Sequence, residues 1–270
     1  MWEERFAELS AVGARQGGLI TAAQVGRLGV DRSALTRFVD SALLVELDWA
    51  VYRFAWSSAG PRYAYPQAAW LALLPELYRW ERPRSAVEDA VLSHESACRL
   101  HGLGSVPSPL MTFTSPEALD APRATKIHLG RLAPDDVTVV EGVAVTTPHR
   151  TVVDLATDWT DHGDLRRILM DAVLRDLVDL RAIHADLVPL AGRHGFPDGG
   201  GEFVAYFLPD LDPAALSPRN RRGHALLTRP ERVAAVRPAV ARIISEAGAA
   251  HDPDETLSRD IAAEIIARIG

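Results

Sequence analysis

Gly29 constrains the fold of this chain more than any other residue. It lies between two segments that each carry helix start signals, so the backbone must turn sharply there. Before it, Thr21 has the form of an N-cap and Gln24 follows three residues later, a capping-box spacing that predicts a short helix through Leu28. After it, Asp31 caps a further helix. At ~100° per residue, Leu35, Phe38, Val39 and Ala42 fall on one side of that helix, and Arg32, Ser33, Thr36 and Arg37 on the other. Upstream, Glu3 to Gln16 has Phe6, Leu9 and Val12 at helical spacing, and Gly17-Gly18 stops it before the short extended piece Leu19-Ile20. Downstream, Leu43 to Leu47 and Ala50 to Phe54 are β-like runs joined near Asp48-Trp49. Three short helices followed by a hairpin are the order of a winged helix-turn-helix; the competing reading is a generic three-helix packing unit with no nucleic-acid role.

The polar face of the third helix, with arginines and hydroxyls, suits contacts to phosphates and base edges in a major groove. Charge points the same way. The chain carries a net charge of -7, yet Arg15 to Arg37 carries +3, leaving -10 elsewhere. A local basic patch on an acidic body fits DNA binding by one module rather than general coating of nucleic acid.

The rest of the chain reads as α+β. Pro66 to about Arg79 is apolar on one side, with Pro75 expected to end it early; Trp80 to Ser85 reads as a linker and Val87 to His101 as a helix. Leu110 to Thr114, Lys126 to Leu129, Val137 to Val140 and Val143 to Thr147 are β-rich, with Glu141-Gly142 as a hairpin turn. Helices follow at Pro148 onward, Leu165 to Leu174 and Leu180 to Leu190. Gly192 to Gly201 reads as a loop, and Phe203 to Leu208 fits a short helix or a strand. Thr228, Pro230 and Glu231 form a capping-box pattern for a helix to about Ala247, and Leu257 to Ile269 makes a last helix. The apolar face of that last helix suits a homodimer contact or docking on its own core. No apolar run approaches the ~20 residues of a membrane span, and Met1-Trp2-Glu3-Glu4 is acidic where a signal peptide is basic. A cytoplasmic protein without membrane partners is the expectation. Cys98 is the only cysteine, which excludes an intrachain disulfide and a cysteine-based zinc site.

Several segments resemble one family. The run Gly18-Leu19-Ile20-Thr21-Ala22-Ala23-Gln24, with Gly29-Val30, Ser33, Leu35 and Val51-Tyr52-Arg53, resembles the amino-terminal winged helix of AbiEi-type antitoxins of abortive-infection toxin–antitoxin systems. Leu92-Ser93-His94-Glu95-Ser96-Ala97 with Leu100-His101-Gly102-Leu103 resembles the opening of the domain that follows in that family. The stretch from Val145 to Ala156, with Thr147-Pro148-His149-Arg150-Thr151 at its centre, resembles its central signature. The resemblance covers roughly residues 1 to 215. Together with the element pattern it gives a winged helix-turn-helix DNA-binding domain at 1–60, a helical connector at 61–86 and an α+β antitoxin-like domain at 87–220; the C-terminal helical segment at 221–270 is read from its helix signals alone and lies outside the resemblance. The resemblance implies a transcriptional autorepressor that binds operator DNA and counteracts a cognate nucleotidyltransferase-like toxin, without catalysis or cofactor. The family's DNA contacts map onto Arg32, Ser33, Thr36 and Arg37 and, at the wing, near Arg53; Thr21, Gln24 and Arg27 complete the expected DNA-binding set. The family usually has basic residues and a glycine at the wing tip. Here Glu46, Asp48 and Ala50 stand there, and carboxylates repel phosphates.

Two other classes compete. A protein-interaction module would use the acidic body, and the wing carboxylates, to hold a basic partner. A metal-dependent nuclease would need strand-borne carboxylates of the kind found in very-short-patch-repair endonucleases, and the sequence after Asn220 has none. His94 and His101 lie two turns apart on one helix face, too far for one ion, and read as capping or packing residues. His149 with Asp154 resembles a base and its orienter without a nucleophile, and Ser93 and Ser96 lack a nucleophile-elbow context. Gly199-Gly200-Gly201 lacks the Lys-Ser/Thr of a P-loop. Arg150 and Asp154, four apart, read as a structural helix pair, with Thr147 as its cap.

Overall fold

The computed structural model describes residues 2–104, 106–158, 161–246 and 256–269. The protein is α+β, with two β-sheets among the described residues. It divides into one compact unit comprising Met1–His101 and Val106–Thr147, and a second comprising Gly102–Ser105 and Pro148–Gly270. The first boundary therefore falls near Thr147, and residues 61–86 belong to the body of the first unit instead of connecting two domains.

The first unit opens with α1 (Trp2–Ala14), β1 (Leu19–Thr21), α2 (Ala22–Arg27), α3 (Arg32–Asp40), β2 (Leu44–Glu46) and β3 (Val51–Phe54). The strands pair antiparallel in the order β1-β3-β2, with Ile20 opposite Tyr52 and Leu44 opposite Phe54. Ile20, Tyr52 and Phe54 share one face of this sheet and bury against Leu9, Val25, Val30, Leu35 and Phe38 of the helices. The Phe6 ring lies 5.3 Å from Phe38 and 5.9 Å from Phe54. Gly13 lets α1 approach this sheet, because a Cβ there would sit 2.2 Å from the Phe54 ring. Ala42, expected on the apolar side of α3, lies beyond the helix end with φ +57° and is exposed.

The other face of the sheet, with Leu19 and Val51, packs on Ala68, Leu71 and Ala72 of α4 (Pro61–Leu73). Ala69 and Leu73 of the same helix pack on a second sheet, with Leu92, Phe113, Val143 and Val145. A helix apolar on both sides is one buried on both sides. It begins five residues earlier than the apolar pattern suggested, since Pro61 takes the first helical turn after Gly60 and Pro66 is accommodated inside.

The second sheet has the order β6-β5-β4-β8-β7, built from β4 (Val91–Leu92), β5 (Met111–Ser115), β6 (Thr125–Leu129), β7 (Val137–Val140) and β8 (Val143–Thr146). The pairs β4–β5 and β7–β8 are antiparallel, and β4–β8 and β5–β6 are parallel. Glu141 and Gly142 make the β7–β8 turn, both at positive φ. Residues Val87 to His101 are not one helix. They hold a 3-10 turn, the fully buried β4, and then α5 (His94–His101), because a short apolar run in a central strand carries no periodicity to separate it from helix.

Nor is Trp80 to Ser85 a free linker. Arg82, whose side chain is fully buried, donates Nε to Asp89 Oδ2 at 2.9 Å and a second bond at 2.5 Å to Oδ1. Its remaining terminal nitrogen donates to the Trp70 carbonyl at 2.5 Å, and the guanidinium carbon lies 3.5 Å from the Trp70 ring centroid. Burial pushes the Arg82 pKa down, and the paired Asp89 opposes that shift.

The second unit is helical: α6 (Pro148–Thr157), α7 (His162–Leu174), α8 (Leu180–His194), α9 (Gly200–Phe207), α10 (Pro218–Thr228), α11 (Pro230–Glu246) and α12 (Thr256–Ile269). Phe203 to Leu208 thus resolves as helix, with Phe196 edge-on to both Phe203 and Phe207 and those two rings tilted against each other. Asn220, fully buried, accepts from Leu180 N at 2.8 Å and donates to the carbonyls of Val173 and Val178, tying α10 to the α7–α8 connection. Thr228 does not cap α11; it ends α10 and its hydroxyl donates back to the His224 carbonyl. The expected end of α11 at Ala247 lies outside the described residues. In α12, Ala262, Ala263 and Ile266 dock on Ala225, Val233 and Val240 of the same unit, so docking on its own core accounts for that side of the helix. No helix among the described residues is long and apolar enough to cross a membrane.

Replacing Arg82 with methionine leaves Asp89 as a buried carboxylate without its cation. We expect a loss of about 3–5 kcal/mol in the unfolding transition of the first unit, measured by chemical denaturation. Adding Asp89→Asn should restore much of it, since the amide oxygen keeps the acceptor for Ala90 N.

Candidate nucleic-acid interface

The start of α3 is built locally. Asp31 accepts from Ala34 N at 2.8 Å and from the Ser33 hydroxyl at 2.6 Å, and these bonds, the Ser33 one first, hold its carboxyl below the usual range. Leu35 and Phe38 are buried, which fixes the roll of the helix and turns Arg32, Ser33, Thr36 and Arg37 outward, all exposed. Thr36 donates its hydroxyl to the Arg32 carbonyl at 3.0 Å. Among the described residues the Arg32 and Arg37 guanidiniums have no hydrogen-bond partner and no ion pair. The structure therefore brings these four side chains onto one exposed face, with two uncommitted cations.

The other four expected residues go elsewhere. Thr21 and Gln24 form the capping box as the sequence indicates, but both are buried. Thr21 donates to the Pro75 carbonyl at 2.6 Å, and Gln24 donates to the Leu77 carbonyl at 2.7 Å while accepting from Gln16 Nε2 at 2.6 Å. Neither has surface from which to reach a duplex. Arg27 pairs with both carboxylate oxygens of Glu81 at 2.6 and 2.9 Å and donates to the Glu76 carbonyl. Its guanidinium carbon lies 4.3 Å from the Tyr78 ring centroid. Arg53 alternates with Tyr52 and Phe54 along β3, so it shares the face of Val51, and it reaches the carbonyls of Ser57 and Ala59 at 3.3 and 3.2 Å. Strand parity sets that direction.

The β2–β3 turn departs from expectation as well. Trp49 and Ala50 are its central residues, at φ +58° and +54°, with Val51 N donating to the Asp48 carbonyl. Two positive φ values define the turn that asparagine-glycine normally makes. Here tertiary contacts hold it: the Trp49 indole donates to the Arg123 carbonyl at 2.6 Å and its ring meets Tyr65 edge-on at 6.5 Å. The Asp48 carboxylate is ion-paired to Arg123. Of the two carboxylates weighed at this tip, Glu46 is the exposed one, and Asp48 is compensated.

Outside this face, the residues considered for chemistry have structural partners. His94, at φ +52°, shares a 2.9 Å hydrogen bond with Ser93 and stacks on His128 at 3.8 Å, while His101 bonds the Thr146 carbonyl at 2.7 Å. Ser93 and Ser96 are buried in hydroxyl networks with Thr114 and Ser108. His149 meets Asp186 at 2.7 Å and not Asp154, which instead takes the expected i, i+4 bond from Arg150 at 2.7 Å. Gly200 and Gly201 begin α9, where a Cβ at Gly200 would press on Leu227 at 2.9 Å; close packing requires that glycine.

Gln16 and Glu81 went unrecognised in the sequence. The Gln16 amide links the Leu19 carbonyl, Gln24 and Arg79 N, and Glu81 anchors both Arg27 and Tyr78 N. Gln16 carries no sequence signal beyond being a polar residue at the end of a helix. The chain matches no known family model and no curated protein.

The Glu81 pKa is held at about 2, first by the Arg27 hydrogen bonds and then by Tyr78 N. A depressed carboxyl stabilises the fold fully above its ordinary value of 4.5 and loses that effect as pH falls toward the depressed value. Glu81→Gln should therefore lower the melting temperature modestly at pH 7, with the difference from the parent shrinking below about pH 4.5 and vanishing near pH 2. A difference unchanged across that range in thermal melts would show that the ion pair contributes nothing to stability.

Proposed function

We propose that residues 1–60 form a winged helix-turn-helix that binds operator DNA through α3, in an antitoxin-like transcriptional regulator rather than an enzyme. The exposed face of Arg32, Ser33, Thr36 and Arg37, whose two guanidiniums have no partner among the described residues, carries this reading. Supporting it, α2 and α3 meet at Gly29 in left-handed conformation, φ +70°, and a β-hairpin follows α3. Contacts come from α3 alone in this reading: the preceding helix and Arg53 hold the module together, and the hairpin tip is committed to Arg123. Arg32 and Arg37 serve phosphates or guanine edges, and Ser33 and Thr36 offer hydroxyl oxygens as acceptors. The resemblance to AbiEi-type antitoxins extends the proposal to autorepression of its own operon and to a nucleotidyltransferase-like toxin as protein partner, within the cytoplasm.

The acidic surroundings favour a second reading, in which the chain holds a basic protein without specific DNA binding. Asp31, Asp40 and Glu46 are exposed on or beside α3.

Titration of the full chain against the DNA upstream of its gene, by fluorescence anisotropy at several salt concentrations, separates the two. Binding with a steep salt slope is expected. Arg32→Ala and Arg37→Ala should each weaken it by about 1–3 kcal/mol where the contact is to a base, or reduce the slope by about 1 where it is to a phosphate. Affinity no better than for random DNA, or unchanged in both variants, removes α3 as the reading element and moves the weight to the protein partner.

A further inference from the structure

A cavity of about 510 Å³ lies wholly within the first unit, between the end of α1, α4, the turn at Arg79–Glu81 and the β7–β8 hairpin. None of its side chains belongs to the α3 face. Its size falls in the ordinary range of small-ligand sites, about 300–1,000 Å³.

Four arginines line it: Arg15, Arg79, Arg82 and Arg84. The single carboxylate in the lining, Asp89, is already neutralised by Arg82. Among the described residues Arg84 has no hydrogen-bond or ion-pair partner. The Arg15 guanidinium likewise has no hydrogen-bond or ion-pair partner among the described residues, and its carbon lies 4.0 Å from the Trp80 ring centroid. Arg79 gives one nitrogen to the Gly142 carbonyl at 2.8 Å and keeps its other donors. Three positive charges with free donors thus face one space with no carboxylate to answer them. The rest of the lining combines the indoles of Trp70 and Trp80 and apolar side chains such as Leu71 and Val143 with the amides of Gln16 and Gln67. Trp80, 40% exposed, stacks on Tyr78 at 4.8 Å with one face and carries the Arg15 guanidinium on the other, so its ring is held in place and that second face opens when Arg15 swings away.

Guanidiniums with free donors recognise phosphate in forked geometry, and indole faces stack on planar bases. A carboxylate ligand would balance one of the three cations, whereas a phosphate ester brings two charges and a nucleoside diphosphate brings three. We infer that this cavity is a binding site for a free nucleotide, its phosphates held by Arg79 and Arg84 and drawing Arg15 off the Trp80 ring, whose uncovered face takes the base.

The test is calorimetric titration of the full chain with nucleoside 5′-mono- and diphosphates, in parallel with the matching nucleosides and inorganic phosphate. At least one nucleotide should bind, and nucleoside or phosphate alone should bind at least about tenfold more weakly, since each lacks half of the recognised chemistry. Arg15→Ala and Arg84→Ala should each weaken nucleotide binding about tenfold or more, and Arg84→Glu should abolish it. Arg84 has no partner to lose, so its variants report on the ligand and not on folding; a thermal melt matching the parent checks this. Absence of nucleotide binding at millimolar concentration overturns the assignment, as does binding indifferent to both Arg84 variants. A 5′-phosphorylated oligonucleotide that outcompetes every free nucleotide would also overturn it, by making the cavity a nucleic-acid end site.

Discussion

The first unit depends on α4 being apolar on two separate faces. Ala68, Leu71 and Ala72 accept the small amino-terminal sheet, and Ala69 and Leu73 accept the larger one. Small side chains on both sides let two sheets close on a single helix without leaving voids, which a helix with one leucine-rich stripe could not do. The Arg82–Asp89 pair fastens the same helix from its end. It satisfies the Trp70 carbonyl and covers the Trp70 ring, and its carboxylate also accepts from Ala90 N at the edge of β4. A buried charge pair is a poor source of net stability, but once present neither member is dispensable, so it fixes where the chain re-enters the second sheet.

The segment after α4 is equally committed, on its other side, to α2. Carbonyls of Pro75, Glu76 and Leu77, freed because the helix has ended, accept from Thr21, Arg27 and Gln24. This is the physical reason that polar residues of α2, which look available in a linear reading, are internal. A capping box satisfies only part of what threonine and glutamine offer; the remaining donors find carbonyls that no local pattern predicts.

What the sequence made legible was local. The capping of α2 and α3, the inward roll of Leu35 and Phe38, the β7–β8 turn at Glu141-Gly142 and the Arg150–Asp154 pair follow from short-range rules, and each is present. What was illegible depended on partners distant in the chain. Val91 and Leu92 are a strand only because β5 and β8 flank them, and residues 61–86 are core only because two sheets meet there. Trp49 and Ala50 occupy a turn that favours glycine because Arg123 and Tyr65 hold the indole. For the candidate interface, the four positions of α3 were readable from helix periodicity. The internal fates of Thr21, Gln24, Arg27 and Arg53 required the tertiary structure.

That sorting changes what the local excess of positive charge between Arg15 and Arg37 means. Four arginines stand against Asp31, but only Arg32 and Arg37 project from α3. Arg27 is neutralised by Glu81, and Arg15 turns to Trp80 at the cavity. Two cations on one helix face, with Asp40 and Glu46 exposed nearby, give a weak long-range field in a chain of net charge -7. Non-specific affinity scales with the number of phosphates neutralised, so a surface like this gains little from coating DNA. In the proposed DNA-binding reading, discrimination would come from short-range fit of a few side chains on a rigid helix, the arginines attracting a well-placed backbone and the neighbouring carboxylates repelling a misplaced one.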